Sequence, residues 1–284
     1  MRRQDWWRRF ACMLAMVLWP IMQSSWADPS VISPSDIAAL FVREVNMRLN
    51  VPSDERSEYA RNLNEALAHA GLNSLAPQYF VLVDRSPVVQ AAFIYWRSPN
   101  GDWHFIGATP VSTGRPGSFD HFLTPLGVFD HTPANMDYRA EGTRNKLGIR
   151  GYGVRGMRVF DFGWVLGERG WGPPGRSVMR LQMHATDPDL LEHQLGITHS
   201  KGCIRIQATL NVFIDRHGLL DAEYEFRASG GTRLWVLRAD RTPTPWPGRY
   251  LVVVDSARKS RPAWSPLPSA KHALAFSAVA KLYC

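Results

Sequence analysis

The sequence predicts a mainly β domain, a sandwich or barrel-like assembly of strands with a short N-terminal helical segment and peripheral helices. Three observations predict it. Beyond Pro77 the chain turns to short apolar runs separated by turn residues. Before it, apolar residues recur at helical spacing. Beyond Asp255, prolines, serines and basic residues replace both textures. With 284 residues, 45% of them hydrophobic and 11% aromatic, the chain can bury a sizeable core and is far from a disordered composition.

The N-terminus places Arg2, Arg3, Arg8 and Arg9 around and before the apolar run FACMLAMVLWPIM, followed by QSSWA with small residues at Ser25 and Ala27. That order of charge, apolar stretch and small residues predicts a secretory signal peptide over 1–27 and a mature chain starting at Asp28. The run is shorter than the roughly 20 residues of a membrane span, so export to a periplasmic or cell-wall associated location is expected. Without the leader's four arginines and one aspartate the formal net charge falls from +8 to +5. That excess suits carboxylate-bearing partners, whereas no basic helix or zinc-finger spacing supports nucleic acid.

Residues 28–78 read as a helical lead-in. PSDIAALFVREVNMRL aligns Ile37, Leu40, Phe41 and Val45, and SDERSEYARNLNEALAHAG aligns Tyr59, Leu63 and Leu67; each has a serine cap, and Gly71 ends the second. A β meander starts near Tyr79. YFVLVDRSPVVQAAFIYW is two apolar runs around the turn-like DRSP, and WHFIGATPVSTG follows SPNGD in the same style. SVMRLQMH alternates like a core strand, and CIRIQ also reads as a strand. The main domain spans 79–255 and a tail covers 256–284. The glycine-rich insert from Thr132 to Pro174 suits loops and turns, and its Tyr152, Trp164 and Trp171 are read as core aromatics ahead of a groove-lining role.

Of three cysteines, Cys12 falls in the leader and Cys284 is the last residue, which leaves Cys203 without a disulfide partner. An unpaired thiol in an oxidising compartment points to a nucleophile. A zinc site is not expected, because no second cysteine lies nearby and His184, His193 and His199 follow no ligand pattern. A thiol with a pKa near 8.5 is only a few per cent thiolate at neutral pH, so it needs a neighbouring base. His184, at the end of SVMRLQMH, is the candidate.

Two blocks carry a resemblance. VSTGRPGSFDHFLTPLGVF resembles the Thr-Gly then Thr-Pro-x-Gly-x-Phe signature of the L,D-transpeptidase catalytic domain family (YkuD-like). MHATDPDLLEHQLGITHSKGCIRI resembles that family's His-x(n)-Leu-Gly-x(n)-Ser-His-Gly-Cys-Ile-Arg signature, in the family's order, and the resemblance extends from Tyr79 to about Asp255. One residue departs from it: Lys201 stands where the family has histidine, two positions before the cysteine. The resemblance implies a YkuD-like β-sandwich with Cys203 as nucleophile, His184 as general base and the Ala185 carbonyl holding the imidazole in its productive tautomer. It implies no metal and no organic cofactor.

On that reading the Gly202 and Cys203 amides aim at the developing oxyanion, and Gly202 avoids crowding the approaching carbonyl. Arg205, at i+2 on the strand face of Cys203, either meets a substrate carboxylate or holds the loop. The same alternation puts Lys201 on that face, where its ammonium either lowers the thiol pKa or leads into solvent or onto a substrate carboxylate. Ser200 and His199 flank the loop and shape it, with Ser200 also expected to meet the substrate and His199 expected in solvent. The implied function is an exported cysteine acyltransferase that acts on peptidoglycan stem peptides, releases D-alanine through a thioester, and joins the stem to a second stem or to an amine-bearing envelope protein. An L,D-carboxypeptidase or amidase on the same substrate and a non-catalytic peptidoglycan-binding module are the alternatives. A papain-like hydrolase opens a helix with its nucleophile, whereas CIRIQ reads as strand.

Overall fold

The computed structural model describes residues 32–267. Ser33 starts helix α1 (Pro34–Glu44) with a capping box: its Oγ accepts from the Asp36 N–H at 3.2 Å, and the Asp36 carboxylate accepts from the Ser33 N–H at 2.9 Å. Helix α2 (Ser53–His69) buries Tyr59, Leu63 and Leu67, the three residues its periodicity selects. Its cap differs from the expected serine. Pro52 holds the N-cap position without a side-chain hydrogen bond, and Ser53 is already helical.

Among the described residues nine strands follow: β1 (Gln78–Asp84), β2 (Ala91–Arg97), β3 (Trp103–Pro110), β4 (Gly127–Asp130), β5 (Tyr138–Arg139), β6 (Arg158–Glu168), β7 (Arg176–Ala185), β8 (Ile204–Ile206) and β9 (Tyr250–Val254). They form two mixed sheets, one ordered β3-β2-β1-β9-β4 and the other β5-β6-β7-β8. β9 runs parallel to β1, and β8 runs parallel to β7. The molecule is thus mainly β, as the sequence predicts.

Alternation along β1 explains its unbroken apolar run. Tyr79, Val81 and Val83 enter the core shared with Phe160, Leu181, Met183, Ile204 and Ile206 of the second sheet, while Phe80 and Leu82 pack with Tyr59, Leu63 and Leu67 of α2. A strand covered on both faces has no polar side to show. Helix α1 adds Ile37 and Phe41 to the inter-sheet core. The described part of the C-terminal stretch also packs: the Trp264 ring lies 5.9 Å from Tyr59 and 5.8 Å from Phe93, and Arg258 pairs with Glu55. Residues 1–27 with Cys12, and the end of the tail with Cys284, lie outside the described residues.

Two helices that the sequence reading left unplaced follow β8: α3 (Ala208–His217) and α4 (Ala222–Ser229). The aromatics of the glycine-rich insert also differ from expectation. Tyr152 is 40% and Trp164 66% exposed, and Trp171 is half-buried. The reason for Trp164 is a register shift in β6 between Asp161 and Trp164. Phe160 and Phe162 point into the core, and the irregularity reverses the alternation, so Val165 packs inward while Trp164 and Leu166 face out.

Arg158, at the start of β6, is fully buried in a cluster of opposite charges. Its Nε donates to Asp137 at 2.6 Å, its Nη1 to Asp221 at 2.8 Å, and its Nη1 also lies 3.3 Å from Asp215. His131 is buried beside it, with Nδ1 2.8 Å from the Leu220 carbonyl and Nε2 2.9 Å from Asp137. Both ring nitrogens face acceptors, so both donate. Burial alone would lower the His131 pKa, but the Asp137 carboxylate outweighs it and holds the pKa above the ordinary histidine value. Three cations, with Arg139 on Asp215 the third, thus face three carboxylates where β5 and β6 meet α3 and α4.

Candidate active site

The site is built on the outward face of the second sheet. Leu181 and Met183 of β7 and Ile204 and Ile206 of β8 point into the core, so Arg180, Gln182 and His184 share the opposite face with Arg205. The parallel register pairs Met183 with Ile204 and His184 with Arg205, which sets Cys203 beside Gln182. Cys203, His184, Ala185, Gly202, Ser200 and Arg205 are therefore gathered at one end of this sheet. The thiol is half-buried, and its hydrogen bond to the Arg180 carbonyl, at 3.8 Å, lies on the side of Gln182 nearer the start of β7.

His184 is buried, and its Nδ1 lies 2.8 Å from the Ala185 carbonyl oxygen. A carbonyl only accepts, so Nδ1 carries the proton and Nε2 is the acceptor. The Tyr152 ring packs edge-on against the imidazole at 4.6 Å. Burial, reinforced by the Arg205 charge and opposed by the Ala185 carbonyl, pushes the His184 pKa down to about 4. Burial likewise raises the Cys203 thiol, with the Gln182 backbone N–H and then the Arg205 guanidinium pulling the other way. The resting pair is therefore neutral imidazole and neutral thiol.

The loop before β8 is clasped by one hydroxyl. Ser200 Oγ accepts from the Gly202 N–H at 3.0 Å and donates to the Cys203 carbonyl at 2.6 Å. This revises two roles expected from the sequence. The Gly202 amide is occupied by Ser200 instead of facing an open oxyanion position, and buried Ser200 shapes the loop from within. Gly202 is nonetheless required, since its φ of +129° is left-handed territory and a Cβ there would lie 2.8 Å from Met179 Cε.

Thr124 joins the two sequence blocks. Its Oγ1 accepts from the Gly114 N–H at 2.9 Å and donates to the Gly202 carbonyl at 2.7 Å. Gly114 has no room for a side chain, because a Cβ would fall 1.9 Å from the Phe122 carbonyl oxygen. On the far side of β8, Ser112 and Arg205 exchange both backbone hydrogen bonds, and the Thr113 carbonyl accepts from the His199 and Ser200 amides. Sequence reasoning quoted Thr113, Gly114 and Thr124 but gave them no role. It missed Asp161, Arg180 and Gln182, whose only signal was polar residues at alternate positions of an apolar strand.

Lys201 takes the second of its two expected courses, into solvent. β8 begins at Ile204, so strand alternation does not reach back to Lys201, which is exposed and paired with Asp120 at 3.2 Å. The cation acting on the thiol is Arg205. His199 is half-buried instead of solvated, with Nδ1 3.5 Å from Arg205 Nη1. Burial, then the charges of Arg205 and Arg115, push its pKa down to about 4.

A pH dependence follows. Alkylation of Cys203 by a neutral reagent such as iodoacetamide is expected to rise with pH and keep rising beyond about 8.5, the ordinary thiol pKa. No step is expected near 6.5, because His184 stays neutral down to about 4. Intact-mass alkylation rates between pH 5 and 10 check this, and a plateau by pH 7 would contradict it. The depressed His184 pKa also means that the stability it contributes is present above about 6.5 and is lost as pH falls towards 4.

No family model matches this sequence, and no curated protein matches it. Among solved structures, the chain is similar to the helical cell shape determining protein Pgp2 from Campylobacter jejuni, at a TM-score of 0.29 and 12% identity. The alignment covers 80% of this chain and 56% of that one, so this chain spans little more than half the length of Pgp2. A likeness at that TM-score carries no argument about activity.

Proposed function

We propose that the protein is an exported cysteine acyltransferase acting on peptidoglycan stem peptides. The observation that carries the reading is the placement of Cys203 and Arg205 on one outward strand edge, with His184 on the adjoining strand and its Nε2 free to accept a proton. Cys203 Sγ attacks the carbonyl joining the third-position diamino acid to D-alanine, and His184 Nε2 takes the thiol proton. The C–N bond breaks, the imidazolium returns that proton to the departing D-alanine amine, and a thioester remains. An amine then attacks the thioester and restores the thiol. A second stem gives a cross-link, an amine-bearing envelope protein gives an anchor, and water gives a carboxypeptidase.

With the Gly202 amide held by Ser200, the Cys203 N–H is the backbone donor this reading assigns to the oxyanion. The thiol must also leave the Arg180 carbonyl and swing towards His184, and substrate binding supplies that change. The thiol's resting contact with Arg180 favours a second reading, a stem-binding module without turnover. Incubation of the secreted protein with stem tetrapeptides, followed by mass analysis of products and of the intact protein, separates the two. A thioester on Cys203 with released D-alanine is expected, and binding without an adduct would replace the enzyme by the module.

A further inference from the structure

Arg180 is a guanidinium fixed in direction with one edge open. Its Nε donates to both Asp161 oxygens at 3.0 and 2.8 Å, and its guanidinium lies over the exposed Trp164 ring at 5.4 Å. Asp161 is buried and anchored in turn, accepting from Gln182 Nε2 and from the Gly163 N–H, each at 2.8 Å. The clasp uses only Nε. Both Nη groups lack a protein partner among the described residues, and the side chain is 35% exposed. An open Nη edge held rigid on an aromatic plane is the geometry that receives a carboxylate through two parallel hydrogen bonds.

Its position relative to the thiol selects the carboxylate. Along β7, Arg180 lies two residues, roughly 7 Å, before Gln182, the strand neighbour of Cys203, whereas His184 lies two residues beyond it. If His184 protonates the leaving amine, the leaving group occupies the His184 and Arg205 side of the thiol. The acyl portion that stays on sulfur then extends towards Arg180 and Trp164.

We infer that Arg180, clasped by Asp161 and backed by Trp164, is the receptor for a carboxylate on the retained acyl portion of the substrate. On the function proposed above, this is the side-chain carboxylate of the third-position diamino acid. Stems in which that group is amidated, or which carry a plain lysine there, are poorer donors.

The test is binding, kept apart from turnover. Calorimetry measures Kd for two synthetic stem tetrapeptides, identical except that one has the side-chain carboxylate and the other its carboxamide, on full-length Cys203→Ala and on Cys203→Ala carrying Arg180→Gln. The carboxylate peptide is expected to bind roughly tenfold tighter to the parent, and the ratio to fall to about one with Arg180→Gln. Arg180→Lys keeps a cation beside Asp161, and so the fold, but loses the fork; its ratio is expected below half the parent's. No preference in the parent, or an undiminished preference in either variant, overturns the assignment. Thioester formation on the Cys203 enzyme is read separately by intact mass: its absence alongside a retained Arg180-dependent preference removes the chemistry and leaves the carboxylate site standing.

Discussion

Cys203→Ala, His184→Ala and the double variant are expected to lose acyl transfer to one common floor, at least roughly 10³-fold below the parent enzyme. On the proposed mechanism, nucleophile and base act as one unit more strictly than in a preformed ion pair. The thiol is raised and the imidazole lowered by their shared burial, so neither is activated until the other takes part. Without His184 the thiol has no acceptor for its proton, and without Cys203 the imidazole has nothing to deprotonate. Single-turnover thioester formation by intact mass is the measurement, with near-UV circular dichroism showing that the variants keep their packing. A Cys203→Ala protein that still releases D-alanine from stem peptides would end the assignment.

Arg158→Leu is expected to destabilise the fold by about 3–5 kcal/mol, as removal of one partner from a buried ion pair does. Asp137, Asp215 and Asp221 would be left against His131 and the partly exposed Arg139. Urea midpoints at pH 7 and pH 5 read the effect. The gap to the parent is expected to narrow at the lower pH, where stranded carboxylates can take up protons. In the parent, the raised His131 pKa acts in its own direction: its contribution is complete below about 6.5 and is lost as pH rises through the folded-state value. An Arg158→Leu midpoint equal to the parent's at pH 7 would show that the cluster does not hold the strands to the helices.

The sequence was most informative where one period ruled. Tyr59, Leu63 and Leu67 repeat at helical spacing, and β1 and β2 are apolar runs around a turn, so local pattern alone placed them. It failed where the third dimension decides. Trp164 looks like a core aromatic until the β6 irregularity turns it outward, and Lys201 looks like a neighbour of the thiol until the strand is seen to begin at Ile204. The candidacy of Cys203 and His184 was legible because residue type and spacing point to it, and the β7 and β8 pairing brings the two to one end of the sheet. The Asp161, Arg180 and Gln182 group was not, because its members meet only across the β6 and β7 pairing. Ser200 shows a third kind of limit: its name was read correctly, and its partners belong to a loop conformation that no periodicity encodes.

The parallel pairing of β1 with β9 sets the order in which this chain can finish folding. Phe80 waits for Tyr250, and β9 sits inside its sheet between β1 and β4. Until the last strand has emerged from the ribosome, the edges of β1 and β4 have no occupant between them, and the local meander of β1, β2 and β3 is the most that sheet can assemble. Contacts of such long sequence separation are slow to close. On the export proposed above, that delay suits a chain threaded unfolded through a secretion pore, because this sheet cannot lock before β9 is made.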